Sequence, residues 1–297
     1  MPKIVLSCNN ITKKIDNKII INNLSLDLYE GDILGFIGPN GAGKTTTIKM
    51  ILGLTSINKG TININGYDIT KNFEIAIKNI GAIVENPDMY SYLTGYDNLL
   101  ISAKLYQIKK ERIDEVVKLV GLTKRINDKV RKYSLGMKQR LGIAQAILHK
   151  PKLLILDEPT NGLDPDGIKD LRIILKKLSK EGMAIIVSSH ILNELETFVN
   201  KLCIIKNGQI IYNKTKKELN TNQKKYIIEI NNINIKNIIN EYKIIDSNHI
   251  EINTNKENIP LILKKLISKN INIYEIKEER KKLEEIFTEY TKGNTID

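Results

Sequence analysis

Apolar positions along this chain follow three patterns, and each predicts a different element. Near-continuous apolar runs at Ile33-Leu34-Gly35-Phe36-Ile37, Leu153-Leu154-Ile155-Leu156 and Ala184-Ile185-Ile186-Val187 read as strands buried on both faces. Alternation in Leu24-Ser25-Leu26-Asp27-Leu28 and Thr61-Ile62-Asn63-Ile64-Asn65-Gly66, together with Ile19-Ile20-Ile21, predicts short strands, and Glu30-Gly31-Asp32 reads as a turn. Ile113, Val116, Val117 and Val120 recur at i, i+3, i+4 and i+7, inside a region from about Tyr96 to His149 that is mostly helical in period. Further helices are predicted over Thr45–Leu52, Glu74–Asn79 and Asp166–Lys180, and another strand over Ile80–Val84. Asn207-Gly208 between Leu202–Ile205 and Gln209–Ile211 is a hairpin signal. Buried strands alternating with helices predict a parallel α/β sheet.

Near Thr215 the character changes to a glycine-poor stretch rich in Asn, Lys and Ile. Its pattern predicts strands at Tyr226–Asn231, Lys243–Asp246, His249–Thr254 and Asn272–Lys277. Helices are predicted at Ile235–Tyr242, Pro260–Lys269 and Lys281–Thr291. That order, βαββαβ plus a helix, suggests a small ferredoxin-like domain. The predicted division is therefore 1–215 and 216–297.

The bulk numbers change this picture little. With 297 residues the chain can hold one large core or two domains. The formal net charge of +12 is spread widely, with modest clusters at Lys129–Lys132 and Lys214–Lys217. It fits a solvated surface in a chain of biased composition, and it also fits a place near an anionic membrane. Cys8 and Cys203 have no metal-ligand spacing and read as buried thiols, as expected in a reducing, cytoplasmic compartment. Met1-Pro2-Lys3-Ile4 lacks a signal-peptide core, and no apolar run approaches the length of a membrane span, so work at a membrane would need another chain to cross it.

The chemistry begins at Gly38-Pro39-Asn40-Gly41-Ala42-Gly43-Lys44-Thr45-Thr46. It fits the phosphate-loop pattern G-x-x-x-x-G-K-[ST], placed between a predicted buried strand and a helix. Glycines let backbone N–H groups close around phosphates, and the helix N-terminus adds positive charge. Lys44 would reach the β- and γ-phosphates and the Thr45 hydroxyl would ligate Mg²⁺. Asp157 and Glu158 follow the run from Leu153, at the sheet edge where ligands bind in open α/β folds. Asp157 could hold Mg²⁺ through water, and Glu158 could polarise an attacking water. Ser134 is an N-cap for a helix toward Leu148; by itself that is either an ordinary cap or an anion site. Ser188-Ser189-His190 ends the run from Ala184 and puts His190 on the same edge, while His149 and His249 read as incidental.

Together these residues resemble the ATP-binding-cassette (ABC) ATPases. The order is that family's: Walker A at Gly38–Thr46, a Q-loop-like segment at Glu85, the signature at Ser134–Lys138, Walker B at Leu153–Glu158, the D-loop at Gly162-Leu163-Asp164-Pro165 and the switch histidine at His190. The resemblance covers about residues 3–215, and the tail Leu283-Glu284-Glu285-Ile286-Phe287 resembles the end of many such subunits. It implies an α/β phosphate-loop core with an antiparallel β subdomain and a helical subdomain at about 88–150, followed by a C-terminal accessory α+β domain. It also implies a head-to-tail dimer with two ATP molecules at the interface. Gly38, Asn40, Gly41, Gly43, Lys44, Thr45 and Thr46 of one subunit would hold the nucleotide, and Ser134 and Gly136 of the other would cap its γ-phosphate. Thr45, Glu85 and Asp157 would serve Mg²⁺, Glu158 would be the general base, His190 would contact the γ-phosphate, Glu85 would join these two as a catalytic residue at the metal or the attacking water, and Asp164 would couple the sites.

Three departures from the family's pattern stand out. Ile15 aligns with its adenine-stacking aromatic, Glu85 with its Q-loop glutamine, and Leu135 and Met137 with a glycine and a glutamine of its signature. The glutamate, with Pro159–Pro165 and Thr94–Leu99, looks like the bacitracin and lantibiotic self-protection exporters. The expected protein is thus the ATPase subunit of a bacterial antimicrobial-peptide exporter. It would be held at the cytoplasmic face of the membrane by a separate permease, with no nucleic acid as partner. The alternatives are an exporter subunit for lipid or drug, and a soluble ABC ATPase acting on nucleic acid or the ribosome.

Overall fold

Strands β1 (Ile4–Ile15) and β2 (Lys18–Tyr29) form a long antiparallel pair. Each runs 12 residues, where alternation predicted short strands. The pairing slips between Ile4 and Leu6, Cys8 and Ile11, Ile11 and Lys13, and Lys13 and Lys14. Such bulges put side chains out of step with a period of two, so one strand reads as fragments. β4 (Lys59–Ile64) and β5 (Tyr67–Asp68) complete this sheet in the order β2-β1-β4-β5. The structure, a computed structural model, describes residues 2–85, 87–190, 195, 197–215, 218, 224–231, 235, 238–239 and 241–279.

A second sheet holds β3 (Ile33–Ile37), β6 (Ile80–Ile83), β7 (Leu153–Leu156), β8 (Ala184–Ser189), β9 (Lys201–Lys206) and β10 (Gln209–Thr215), in the order β10-β9-β3-β8-β7-β6. The pairs β9–β3, β3–β8, β8–β7 and β7–β6 are parallel. The apolar runs are buried throughout because both faces are covered. β8 runs two residues past its apolar stretch, since Ser188 and Ser189 pair in register with Phe36 and Ile37. Between β9 and β10, Asn207 and Gly208 have φ of 50° and 74°, the left-handed pair of a tight hairpin turn. One continuous core joins the two sheets, with Leu6, Ile21, Phe36, Ile48, Ile155 and Ile186 among its members. Cys8 and Cys203 lie in it, and burial pushes the Cys8 thiol up to about 12 and the Cys203 thiol upward as well.

The helices are α1 (Lys44–Ile51), α2 (Phe73–Ile77), α3 (Gly95–Leu105), α4 (Lys110–Leu119), α5 (Leu135–Ile147) and α6 (Pro165–Lys180). Thr94 and Asp97 form a capping box that starts α3. In α6, Asp164 caps the N-terminus and Leu171, Ile174, Leu175 and Leu178 make a buried stripe at i, i+3, i+4 and i+7.

The chain divides into two compact units, Met1–Lys214 and Thr215–Asp297. The second contains β11 (Lys224–Ile230), β12 (Lys243–Ile244), β13 (His249–Thr254), α7 (Ile259–Ile267) and β14 (Ile273–Glu279). Its antiparallel sheet has the order β12-β13-β11-β14, the ferredoxin-like arrangement, over a core that includes Tyr226, Ile228, Ile250, Ile252 and Leu266. β12 stops short of its predicted end because Asp246 turns the chain. The Asp246 carboxylate accepts from the N–H groups of Asn248 and His249 and from His249 Nδ1–H, each at 2.9 Å. Asp246, helped by Glu229 and Glu275, raises the His249 imidazole above its ordinary value. The predicted helix over 235–242 lies partly outside the described residues; within them, Ile238 N–H donates to the Ile235 carbonyl at 2.9 Å. The predicted helix over 281–291 and the tail Leu283–Phe287 lie outside them. Among the described residues no helix is long and apolar enough to cross a membrane.

Because the first unit closes its own core, a chain ending at Lys214 is expected to unfold cooperatively as a soluble monomer. Thermal unfolding followed by circular dichroism checks this, and recovery of the truncated chain only as an aggregate contradicts it.

Candidate functional site

Four neighbouring parallel strands, β3, β8, β7 and β6, end on one edge of the sheet. Their registers bring Ile37 beside Ser189, Val187 beside Leu156 and Leu156 beside Ile83. The next residues are therefore neighbours in space although far apart in sequence: the loop from Gly38, His190, the pair Asp157-Glu158, and Glu85.

The loop from Gly38 turns into α1 at Gly43, which has φ of 106°. A methyl group at Gly38 would run into the Ile205 carbonyl oxygen, and one at Gly43 into the Ile21 side chain. Gly38 needs glycine for space, because its obstacle is backbone, and Gly43 needs it for conformation. Lys44 is buried, and its Nζ donates to the Gly38 carbonyl at 2.7 Å and lies 3.6 Å from Glu158 Oε1. Thr45 Oγ1–H donates to Asp157 Oδ2 at 3.2 Å.

Asp157 is 3% exposed. Besides Thr45 it accepts a short hydrogen bond from the Ser188 hydroxyl, and Ser188 Oγ in turn accepts the Glu158 N–H at 2.9 Å. Ser188 was not predicted as a site residue. The signal was present, since a fully buried hydroxyl at the end of an apolar strand needs a polar partner. Glu158 Oε2 accepts from His190 Nδ1–H at 2.8 Å. Glu158 has φ of 49° and Glu85 has φ of 66°. Among the described residues, seven of the eleven non-glycine residues with positive φ are Asn or Asp, which tolerate that region; glutamate does not share the preference.

Thr45, Glu85, Asp157 and Glu158 line one cavity of about 290 Å³, with Leu135, Gln139, Pro159 and Asn161 closing it. A hydroxyl and carboxylates form an all-oxygen donor set, the chemistry Mg²⁺ selects. Among the described residues no three His, Cys, Asp or Glu side chains form a metal cage, so a cation here would share its shell with water and phosphate oxygens. The residues thus fit a magnesium–phosphate complex.

The edge does not gather every predicted residue. Ser134 is an exposed N-cap of α5, accepting the Met137 N–H at 3.3 Å. Gly136 packs near Leu163 and Gly167. Asp164 is exposed and accepts the Gly167 N–H at 2.9 Å. Asn40 and Gly41 sit exposed on the loop, and Thr46 is half-buried on α1. His149 stands apart from the edge: its Nε2–H donates to the Ile80 carbonyl at 2.9 Å, its ring stacks on Tyr106 at 4.7 Å, and burial lowers its pKa. Ile15, 45% exposed, lies at the β1–β2 turn, and from β2 the Ile21 side chain crowds Gly43.

The family described as "ABC transporter" matches residues 21–161. The chain is 49% identical to the uncharacterized ABC transporter ATP-binding protein YhcH of Bacillus subtilis, over 97% of this chain and 96% of that one. It is 39% identical to the bacitracin transport ATP-binding protein BcrA of Bacillus licheniformis, over 98% of this chain and 99% of that one. A solved ATP-binding subunit of an ABC transporter superposes with a TM-score of 0.66 at 30% identity, covering 72% of this chain and 91% of that one. The chain belongs to the ABC transporter ATP-binding proteins, ATPases coupled to transport.

Proposed function

We propose that this subunit hydrolyses ATP with Glu158 as general base and drives a separate membrane-spanning permease that exports an antimicrobial peptide. The observation that carries the chemistry is the place of Glu158 between Lys44 and His190. As phosphates enter the loop, Lys44 Nζ exchanges the Gly38 carbonyl and Glu158 Oε1 for phosphate oxygens. Oε1 is then free to accept a proton from the water that attacks the γ-phosphorus, giving ADP and phosphate. His190 holds the other carboxylate oxygen and so fixes the orientation of the base. Thr45, Asp157 and Glu85 would hold Mg²⁺, which when bound offsets negative charge on the β- and γ-phosphates.

Ser134 and Asp164 are exposed and outside the contacts of this chain's own site, which supports a second copy in head-to-tail contact. On the helical segment Tyr90, Tyr92, Ile101, Leu105 and Tyr106 are exposed, with Leu105 79% accessible. An apolar group of this kind supports a protein partner, and a permease at the cytoplasmic face of the membrane fits it. The cargo rests on a relative of nearly full length that is named for bacitracin transport.

Glu158→Gln is expected to retain ATP affinity and lose turnover by about a hundredfold or more, the range for removal of a general base. A steady-state ATPase assay beside equilibrium ATP binding checks it, and turnover within a few-fold of the parent removes Glu158 from the role. Lys44→Ala is expected to lose binding itself.

Ile15 gives an aliphatic surface where the family uses an aromatic ring. The subunit is expected to discriminate weakly between ATP and GTP, and Ile15→Tyr to tighten ATP binding by about 1 kcal/mol through stacking. Competition binding decides it, and a strong preference for ATP in the parent chain would mean that another group holds the base.

Deleting the gene for this chain is expected to lower its host's tolerance of bacitracin-type or lantibiotic peptides several-fold, read as the inhibitory concentration. Unchanged tolerance to both classes would remove the peptide cargo.

A further inference from the structure

Gln139 is 7% exposed, and its side-chain nitrogen is buried without a hydrogen-bond partner among the described residues. An amide N–H withdrawn from water and left unspent is uncommon, and it asks for an acceptor. Gln139 lines the cavity with Glu85, Asp157 and Glu158. Two of those carboxylates are already engaged, Asp157 by Thr45 and Ser188, and Glu158 by His190 and Lys44. Glu85 is the remaining acceptor, and its side chain has no hydrogen-bond or ion-pair partner among the described residues. The packing holds the two segments together. One turn along α5, a methyl group at Gly142 would meet Pro87 Cβ at 2.6 Å and Ile83 Cδ1 at 3.1 Å, and Ile83 and Pro87 bracket Glu85. Gln139 and Gly142 are i and i+3, so the face that touches the flanks of Glu85 is the face that carries the amide.

We propose that Gln139 is a positioning residue for Glu85: its free amide N–H takes up the Glu85 carboxylate and ties the loop after β6 to helix α5. A neutral donor suits this place. A lysine or arginine would compete with the cation for the carboxylate, whereas an amide orients one oxygen and leaves the charge for the metal. The inference rests on the reading that the cavity receives the magnesium end of the nucleotide.

The test is equilibrium ATP binding titrated with Mg²⁺ for the full chain and its Gln139→Met, Glu85→Ala and double variants. Methionine keeps the volume and removes the donor. Gln139→Met is expected to raise the half-saturating Mg²⁺ concentration roughly two- to tenfold, and the effect is expected to vanish in the Glu85→Ala background, the non-additivity of a contacting pair. Superimposable curves, or an equal shift in both backgrounds, overturn the proposal. If Gln139→Met does not fold, the exchanged pair Glu85→Gln with Gln139→Glu replaces it. Mg²⁺ dependence restored toward the parent relative to Gln139→Glu alone supports the pairing, and no recovery overturns it. Lys44→Ala separates the two readings. If it leaves ATP binding intact, the nucleotide site itself is misassigned; if it removes binding while the Gln139 curves superimpose, only the pairing fails.

Discussion

A carboxylate as buried as Asp157 has to be met by fixed donors, and the geometry of the site follows from where those donors come from. Isolated in a medium of low dielectric it would be costly to keep charged. Thr45 reaches it from the start of α1 and Ser188 from the end of β8, while Asp157 itself follows β7 directly. Three elements are thereby pinned at one point of the sheet edge. Ser188 extends the arrangement by accepting the Glu158 N–H, so a single hydroxyl sets the place of both acidic residues. Lys44 and His190 then find Glu158 in a defined position, because the backbone beneath it is already held.

Glu158 and Glu85 share an uncommon left-handed backbone but not the same support. A non-glycine residue held there costs about 1–3 kcal/mol and persists where its surroundings over-determine it. Glu158 meets that condition. Its N–H is bonded to Ser188, its carbonyl accepts the Asn161 N–H at 3.2 Å, and its carboxylate is bonded to His190. Glu85 presents an exposed side chain without such ties. One carboxylate is built in before any nucleotide arrives, and the other stands ready to be placed. That division suits the proposed roles, Glu158 as a base fixed in advance and Glu85 as a metal contact that responds to what enters.

Most of the edge could be read from the sequence because parallel buried strands write themselves as unbroken apolar runs, and the residue after each run is the one delivered to the edge. Lys44, Asp157, Glu158 and His190 were legible in this way, and Asn207-Gly208 announced its hairpin through backbone preference alone. Side-chain partners were not. Thr45 and Asp157 are 112 positions apart and Ser188 and Asp157 are 31 apart, and no local pattern encodes such pairs. Nothing in the sequence marks Gln139 among the polar residues of a helix; its burial and unpartnered nitrogen do. The bulged strands β1 and β2 failed for a different reason: period-two reading assumes a regular ladder, and each slip resets it.

The walls of the cavity connect nucleotide chemistry to the rest of the first unit. Strand ends supply its polar side, and α5 supplies Leu135 and Gln139. Leu135 also leans over Gly162, where its Cδ2 would lie 2.9 Å from an added methyl group, so the start of α5 rests on the turn before α6. Further along, Arg140 joins the two helices through Asp170 at 3.4 Å. These contacts tie the cavity wall to α6, and close-packed interiors of low compressibility transmit strain. The helix that would feel it first begins with Ser134, the cap that would face a second copy. It also packs against α3, along which the exposed Ile101 and Leu105 lie. On the proposed reading, in which an ATPase acts on a partner, α5 is the element that touches both the cavity and the helix bearing that exposed surface.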